Sequence, residues 1–309
     1  MRLPYRSQEP LPGRCPCAII GCKTLFLKPG RCAGRGITVT QFRQSRAFLK
    51  SDRWAEWAET ETDQRKGLPP PPFEKPVPPG ATLIDLVPPG ELTIGTMPLV
   101  QAIGRRRSRR HWTAEPLSLE ELSFLLWATQ GYDPEATEAR LAHMRQAYPE
   151  SPGRAQFIMR TVPSGGARHP FETYLVIQRV GDLAPGLYRY ISLQHKLLFL
   201  RPVEVIAEAG EKALADWFTE PAVIFIWTVI PGRTEWRYSF ISPKLIAQDS
   251  GHICQNLYLA CESVGAGACA VAGYDQEPVD ALVGVDGQEE FTIYLAPVGK
   301  VDREQKYHF

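Results

Sequence analysis

Apolar and polar positions change register several times along the chain. From Thr40 to Arg65, "TQFRQSRAFLKSDRWAEWAETETDQR" is polar with spaced aromatics, Trp54 and Trp57 among them, and predicts one or two helices lying against a main body. "LSLEELSFLLWATQG" predicts a helix opened by a Ser118–Glu121 capping box and stopped at Gly131. Residues 133–160 are polar and read as loop with a short helix at most. "FETYLVIQRV", a strand of alternating apolar and polar residues, then "GLYRYIS" and "KLLFLRPV" follow at hairpin distances, and "VEVIAEAGEKALADWF" predicts a helix. "AVIFIWTVI" is continuously apolar between prolines, as in a strand covered on both faces. A long helix is predicted in "SPKLIAQDSGHICQNLYLACESVG", and the chain closes through "GACAVAGYD", a short helix and the strand "EFTIYLAPVG". Hairpins mixed with long helices, without regular β-α alternation, predict an α+β fold.

Punctuation divides the chain. Residues 1–37 lack periodicity and read as a disordered extension or as residues preceding the true start. Residues 38–98 hold the helical segment and then nine prolines between Pro69 and Pro89, which predict an extended strap or spacer. A compact domain is expected over 99–309.

Composition narrows the partners. The 309 residues carry a net charge of +1, which excludes a general polyanion binder, because such binding needs a basic surplus over a whole face. No apolar run reaches the length of a membrane span. "AIIGC" around Cys22 resembles a lipoprotein cleavage box, but its apolar stretch is short and broken, so a cytoplasmic protein is expected. Cys15, Cys17, Cys22 and Cys32 lack the paired spacing that chelates zinc, and no metal site is expected. Cys254 and Cys261 read as buried small hydrophobes.

Two stretches carry candidate chemistry. "GRRRSRRHW" places five arginines in six positions around Ser108. A solvated turn, a nucleic-acid contact and a pocket for one small polyanion are all open; forked donors beside a hydroxyl, in a nearly neutral chain, favour the pocket. "VPSGGARHP" holds bare backbone at Gly165 and Gly166 between Pro163 and Pro170, so that a flat ligand can approach closely. Neither a dinucleotide-binding glycine fingerprint nor a P-loop is present.

In order, "RRSRRHW", "LSLEELSFLLWATQG", "PSGGARHPFETYLVI", "GLYRY", "DSGHICQNLYLA", "GYD" and "EFTIYLAPVG" resemble the flavin-dependent nitroreductase superfamily, and within it the SagB-type dehydrogenase branch, over roughly residues 99–300. The resemblance implies a central, mainly antiparallel sheet flanked by helices in a homodimer with FMN at the subunit interface. It implies that Arg106, Ser108 and Arg110 contact the FMN phosphate and pyrimidine edge, where a cation suits the charge of the reduced ring. It also implies that Pro163, Ser164, Gly165 and Gly166 reach the flavin of the partner subunit, and that the main chain of Ala272 and Gly273 faces its reactive nitrogen. Gln255 and Asn256 become candidate polar contacts on an interface helix, and Lys300 a candidate for the phosphate. His252 reads as an ordinary helix histidine.

One departure stands out. Where azoline oxidases of the branch carry Lys-Tyr, this chain has Arg237-Tyr238. Arginine stays protonated and is a poor base, which leaves Tyr238 as the candidate catalytic acid or base. The resemblance implies ping-pong two-electron transfer between NADPH or NADH and a nitroaromatic or quinone. Dehydrogenation of a peptide azoline or small heterocycle is the alternative, and a non-catalytic flavin-binding scaffold is the alternative of another class. No nucleic-acid partner is expected.

Overall fold

A computed structural model describes residues 38–149 and 157–302. The extension over 1–37, with its four cysteines, lies outside the described residues. In chain order come α1 (Val39–Ala47), α2 (Trp54–Glu59), β1 (Leu83–Asp85), α3 (Leu99–Arg105), α4 (Leu119–Gln130) and α5 (Pro134–Ala147). Next are β2 (Phe171–Ile177), β3 (Gly186–Ile191), β4 (Lys196–Pro202), α6 (Val203–Leu214) and β5 (Val223–Val229). The chain continues through α7 (Gly232–Tyr238), α8 (Ser242–Ser263), β6 (Ala266–Ala268), α9 (Gln276–Val283) and β7 (Phe291–Lys300).

The strands form one sheet in the order β1-β4-β3-β2-β5-β7-β6, with every pairing antiparallel, so the expected α+β architecture is the observed one. Successive side chains on a strand point to opposite faces, and here both faces are covered. Leu175, Ile177, Phe225 and Trp227 pack with Leu122, Leu125 and Leu126 of α4 and Leu257 and Cys261 of α8. Tyr174, Val176, Ile224 and Ile226 pack instead with Ile206 and Leu214 of α6 and Val279 and Leu282 of α9.

Although β2 reads as a strand of alternating apolar and polar residues, this double cover buries all seven of them. The strand's acidic residue is satisfied inside. Glu172 accepts from the Arg233 guanidinium at 2.5 Å and from the Lys75 amide at 2.9 Å.

The proline-rich stretch is extended, as proline dictates, yet it is tied to the body and is not a plain spacer. Arg189 donates to the Lys75 and Pro76 carbonyls, Ser192 donates to Glu74, and β1 pairs with β4 to form the edge of the sheet. The capping box at Ser118 and Glu121 is formed as expected, with both reciprocal bonds in place. α5 is longer than the polar pattern suggested. Asp133 caps it, Pro134 occupies its first turn, and its sequence is rich in good helix formers despite burying only Thr137.

Candidate active site

The arginine turn leaves α3 at Arg105 and is fixed by backbone. The Arg109 amide donates to the Ala268 carbonyl of β6 at 2.8 Å, and the Trp112 indole donates to the Gly267 carbonyl at 2.9 Å. Gly267 is required there, because a Cβ would fall 2.4 Å from Cγ of Arg109.

A tyrosine of α8 organises the turn. The Tyr258 hydroxyl lies 3.0 Å from the Ser108 hydroxyl and accepts from the Ala270 amide at 2.7 Å, while the Arg106 guanidinium sits over its ring at 5.3 Å. Burial raises the Tyr258 pKa, so its hydroxyl keeps its proton. Arg106 is half-buried, Arg110 is exposed, and among the described residues neither pairs with a carboxylate. Their donors are therefore available to an anion.

Just past Ala270, Val271 bridges to Leu295, and the chain then leaves the sheet with Ala272 and Gly273 exposed. Tyr258 thus ties the arginine turn to the segment leading into Ala272 and Gly273. Sequence reasoning missed its role, since an aromatic on the apolar side of a helix reads as core.

The glycine loop is held by α8 from below. The buried Asp249 accepts from the Ser164 hydroxyl at 2.6 Å and from the Gly165 amide at 3.0 Å, and the Ser164 oxygen in turn accepts from the His169 amide at 2.9 Å. Burial raises the Asp249 pKa, partly offset by these donors. The Ser164 side chain is thus a brace for the loop. Asp249 was also missed, although it lies within the "QDSGH" stretch.

Gly166 has φ +59°, and Ala167, His169 and Ser239 share the left-handed region at +52°, +47° and +48°. Such conformations cost roughly 1–3 kcal/mol each outside glycine and tend to gather at functional loops. A Cβ on Gly166 would lie 2.7 Å from the Tyr238 hydroxyl and 2.8 Å from Cδ of Arg237, so the bare backbone lies flat on the Arg237-Tyr238 pair.

Tyr238 is also flanked by the N-terminal helices: Trp57 stacks on it at 5.8 Å, Trp54 meets it edge-on at 6.2 Å, and the Trp57 indole donates to the Arg237 carbonyl. Behind the loop, Arg168 is buried between Phe73 and Trp236, with its Nε donating to the Arg233 carbonyl. Burial, then the neighbouring Arg237 and Arg233 charges, lower its pKa to about 10. Burial and the Arg160 charge hold His169 well below its ordinary range, so its ring is neutral.

The remaining candidates spread out. Gln255 is exposed on α8, whereas Asn256 donates to the Ala128 carbonyl of α4 and serves helix packing. His252 is exposed, 3.8 Å from Asp249. The Lys300 ammonium is engaged by Glu121 and by the Val264 carbonyl at 2.9 Å. Cys254 and Cys261 are buried, and burial pushes the Cys254 thiol up to about 12. Among the described residues no cluster suited to a metal ion occurs, and no helix is long and apolar enough to cross a membrane.

Residues 103–300 match the model of a family described as the nitroreductase family. A candidate nitroreductase of Methanocaldococcus jannaschii is 28% identical over 197 residues, 63% of this chain and 87% of that protein. The trifolitoxin-processing protein of Rhizobium leguminosarum bv. trifolii is 28% identical over 137 residues, 42% of this chain, which spans only 37% of that protein. Among solved structures, a candidate nitroreductase of Ralstonia eutropha JMP134 superposes with a TM-score of 0.54 at 22% identity, covering 76% of this chain and 99% of that one.

Proposed function

Because the chain belongs to the nitroreductase family, we propose that this nitroreductase-like oxidoreductase depends on FMN and passes two electrons from NADPH or NADH to a nitroaromatic or quinone in a ping-pong cycle. The observation that carries the reading is the single tyrosine, Tyr258, that joins Ser108 and Arg106 to the Ala270 amide. One hydroxyl thereby sets a cationic, hydroxyl-bearing turn at a fixed position relative to the exposed Ala272–Gly273 backbone, as a cofactor with a phosphate at one end and a flat ring at the other requires.

The residues fit that group. Arg106, Ser108 and Arg110 hold the phosphate and pyrimidine edge, and Pro163, Ser164, Gly165 and Gly166 form a wall without side-chain bulk for the flavin of a partner subunit. The main chain of Ala272 and Gly273 lies along the ring, and Gln255 supplies a polar contact. Lys300 acts at one remove, since Glu121 already holds its ammonium. Bound there, the flavin supplies the two-electron chemistry. Tyr238 holds or accepts the proton that accompanies it. Leu99, Val100 and Ile103 on α3 are 64%, 77% and 58% exposed, an apolar face that supports assembly as a homodimer. A cytoplasmic location accords with this reading, in which neither nucleic acid nor membrane is a partner.

A second reading, dehydrogenation of a peptide azoline or small heterocycle, is favoured by the "PSGGARHP" loop and by the trifolitoxin-processing relative. Arg237 in place of a basic lysine weighs against it. A non-catalytic scaffold would have no use for Arg106 and Arg110, neither of which pairs with a carboxylate among the described residues.

Arg106→Ala and Arg110→Ala test the assignment. Each removes a charge-assisted hydrogen bond of about 1.5–3 kcal/mol, so flavin retained per protomer after dialysis is expected to fall about tenfold or more with the circular dichroism unchanged. Wild-type flavin content in both variants would overturn the phosphate assignment.

A further inference from the structure

Arg237 is the residue the flavin assignment leaves unused. Its guanidinium is half-buried, and among the described residues no carboxylate lies within ion-pair distance of it. Among the described residues, the acids on the elements packed around it make no ion pair with it. Glu56 is paired with Arg53 at 2.8 Å, Asp249 is spanned by Ser164 and Gly165, and the exposed Glu235 faces another acid, Glu289. Behind it stands a second cation, Arg168, buried against Phe73 and Trp236. A partly desolvated guanidinium with no carboxylate partner among the described residues calls for an anion.

The group is also held in place. Its stem lies on the bare face of Gly166, 2.8 Å from where a Cβ would stand, and its guanidinium rests over the Tyr238 ring at 5.5 Å. Its carbonyl is anchored by the Trp57 indole at 3.3 Å. Flat aromatic surface adjoins it: Trp57 stacks on Tyr238, and Trp54, 39% exposed, packs edge-on against both. A fixed fork of donors beside stacked rings recognises a planar carboxylate on an aromatic body better than a spherical ion or a neutral ring.

We propose that Arg237, with Tyr238 and the Trp54–Trp57 pair beside it, forms a subsite for the carboxylate of an aromatic substrate, and so selects anionic over neutral acceptors. Arg237 is in this role a specificity-determining residue. The inference rests on the flavoenzyme reading only for its turnover measurement.

The test uses the purified full-length protein with its flavin and has two arms. In calorimetric titration, benzoate is expected to bind saturably and benzamide, its neutral counterpart, at least tenfold more weakly. Arg237→Gln is expected to weaken benzoate binding at least tenfold, and Arg237→Lys, which keeps the charge but loses the fork, is expected to fall between. In turnover, the preference in kcat/KM for 4-nitrobenzoate over nitrobenzene is expected to fall at least tenfold in Arg237→Gln. Equal binding of benzoate and benzamide, or undiminished benzoate binding by Arg237→Gln, would overturn the subsite whether or not the protein turns over. Absence of turnover with benzoate binding intact and dependent on Arg237 would instead count against the oxidoreductase reading and leave the subsite standing.

Discussion

Gly166 shows how one residue type carries two requirements. Its φ of +59° is strained for any L side chain, and the space beside it is already filled by Arg237 and Tyr238. Gly166→Ala is expected to lower stability in urea denaturation by about 1–3 kcal/mol from the left-handed backbone and the forced shift of two neighbours. A loss within error would mean that the loop does not rest on that pair. Glycines and arginines at such sites were legible in the sequence because their chemistry is unusual for their context. Tyr258 and Asp249 were not, because a tyrosine among apolar helix residues and an aspartate in a polar helix turn look ordinary until packing reveals their partners. Ser164 was legible as part of the loop, but its side chain turns inward to Asp249.

At the scale of elements, caps and periodicity located the long helices and the buried strand β5, whereas the polar α5 and the three-residue β1 were hidden. α5 buries one residue and leaves no apolar stripe to read; β1 exists only through its pairing with β4. The proline-rich strap was legible as extended, but not as attached, because its anchors lie far away in sequence. Its Lys75 ammonium pairs with Glu290 at 2.5 Å and donates to the Tyr174 hydroxyl at 2.9 Å. Glu290 is also bonded by Thr228 in the interior. Lys75→Met is expected to cost about 1–3 kcal/mol, less than the full loss of a buried pair because Lys75 keeps some solvent contact. Unchanged urea midpoints would show that the strap is not latched there.

At the scale of the molecule, the described residues form one antiparallel sheet with a core on each face, and the candidate site lies around α8. That helix carries Tyr258 under the arginine turn and Asp249 under the glycine loop, so a single rigid rod spans both. Two blocks distant in sequence are thus held by one element, which is why motif order alone could point to a site without giving its geometry. On the proposed function, the site holds FMN and accepts electrons from a nicotinamide. An absorption spectrum of the purified protein, followed by anaerobic addition of NADPH and then NADH, tests it most directly. Flavin bands are expected to bleach with one of the two and to return when a quinone is added. A colourless protein that cannot be reconstituted with FMN, or flavin bands that stay oxidised with both nucleotides, would contradict it.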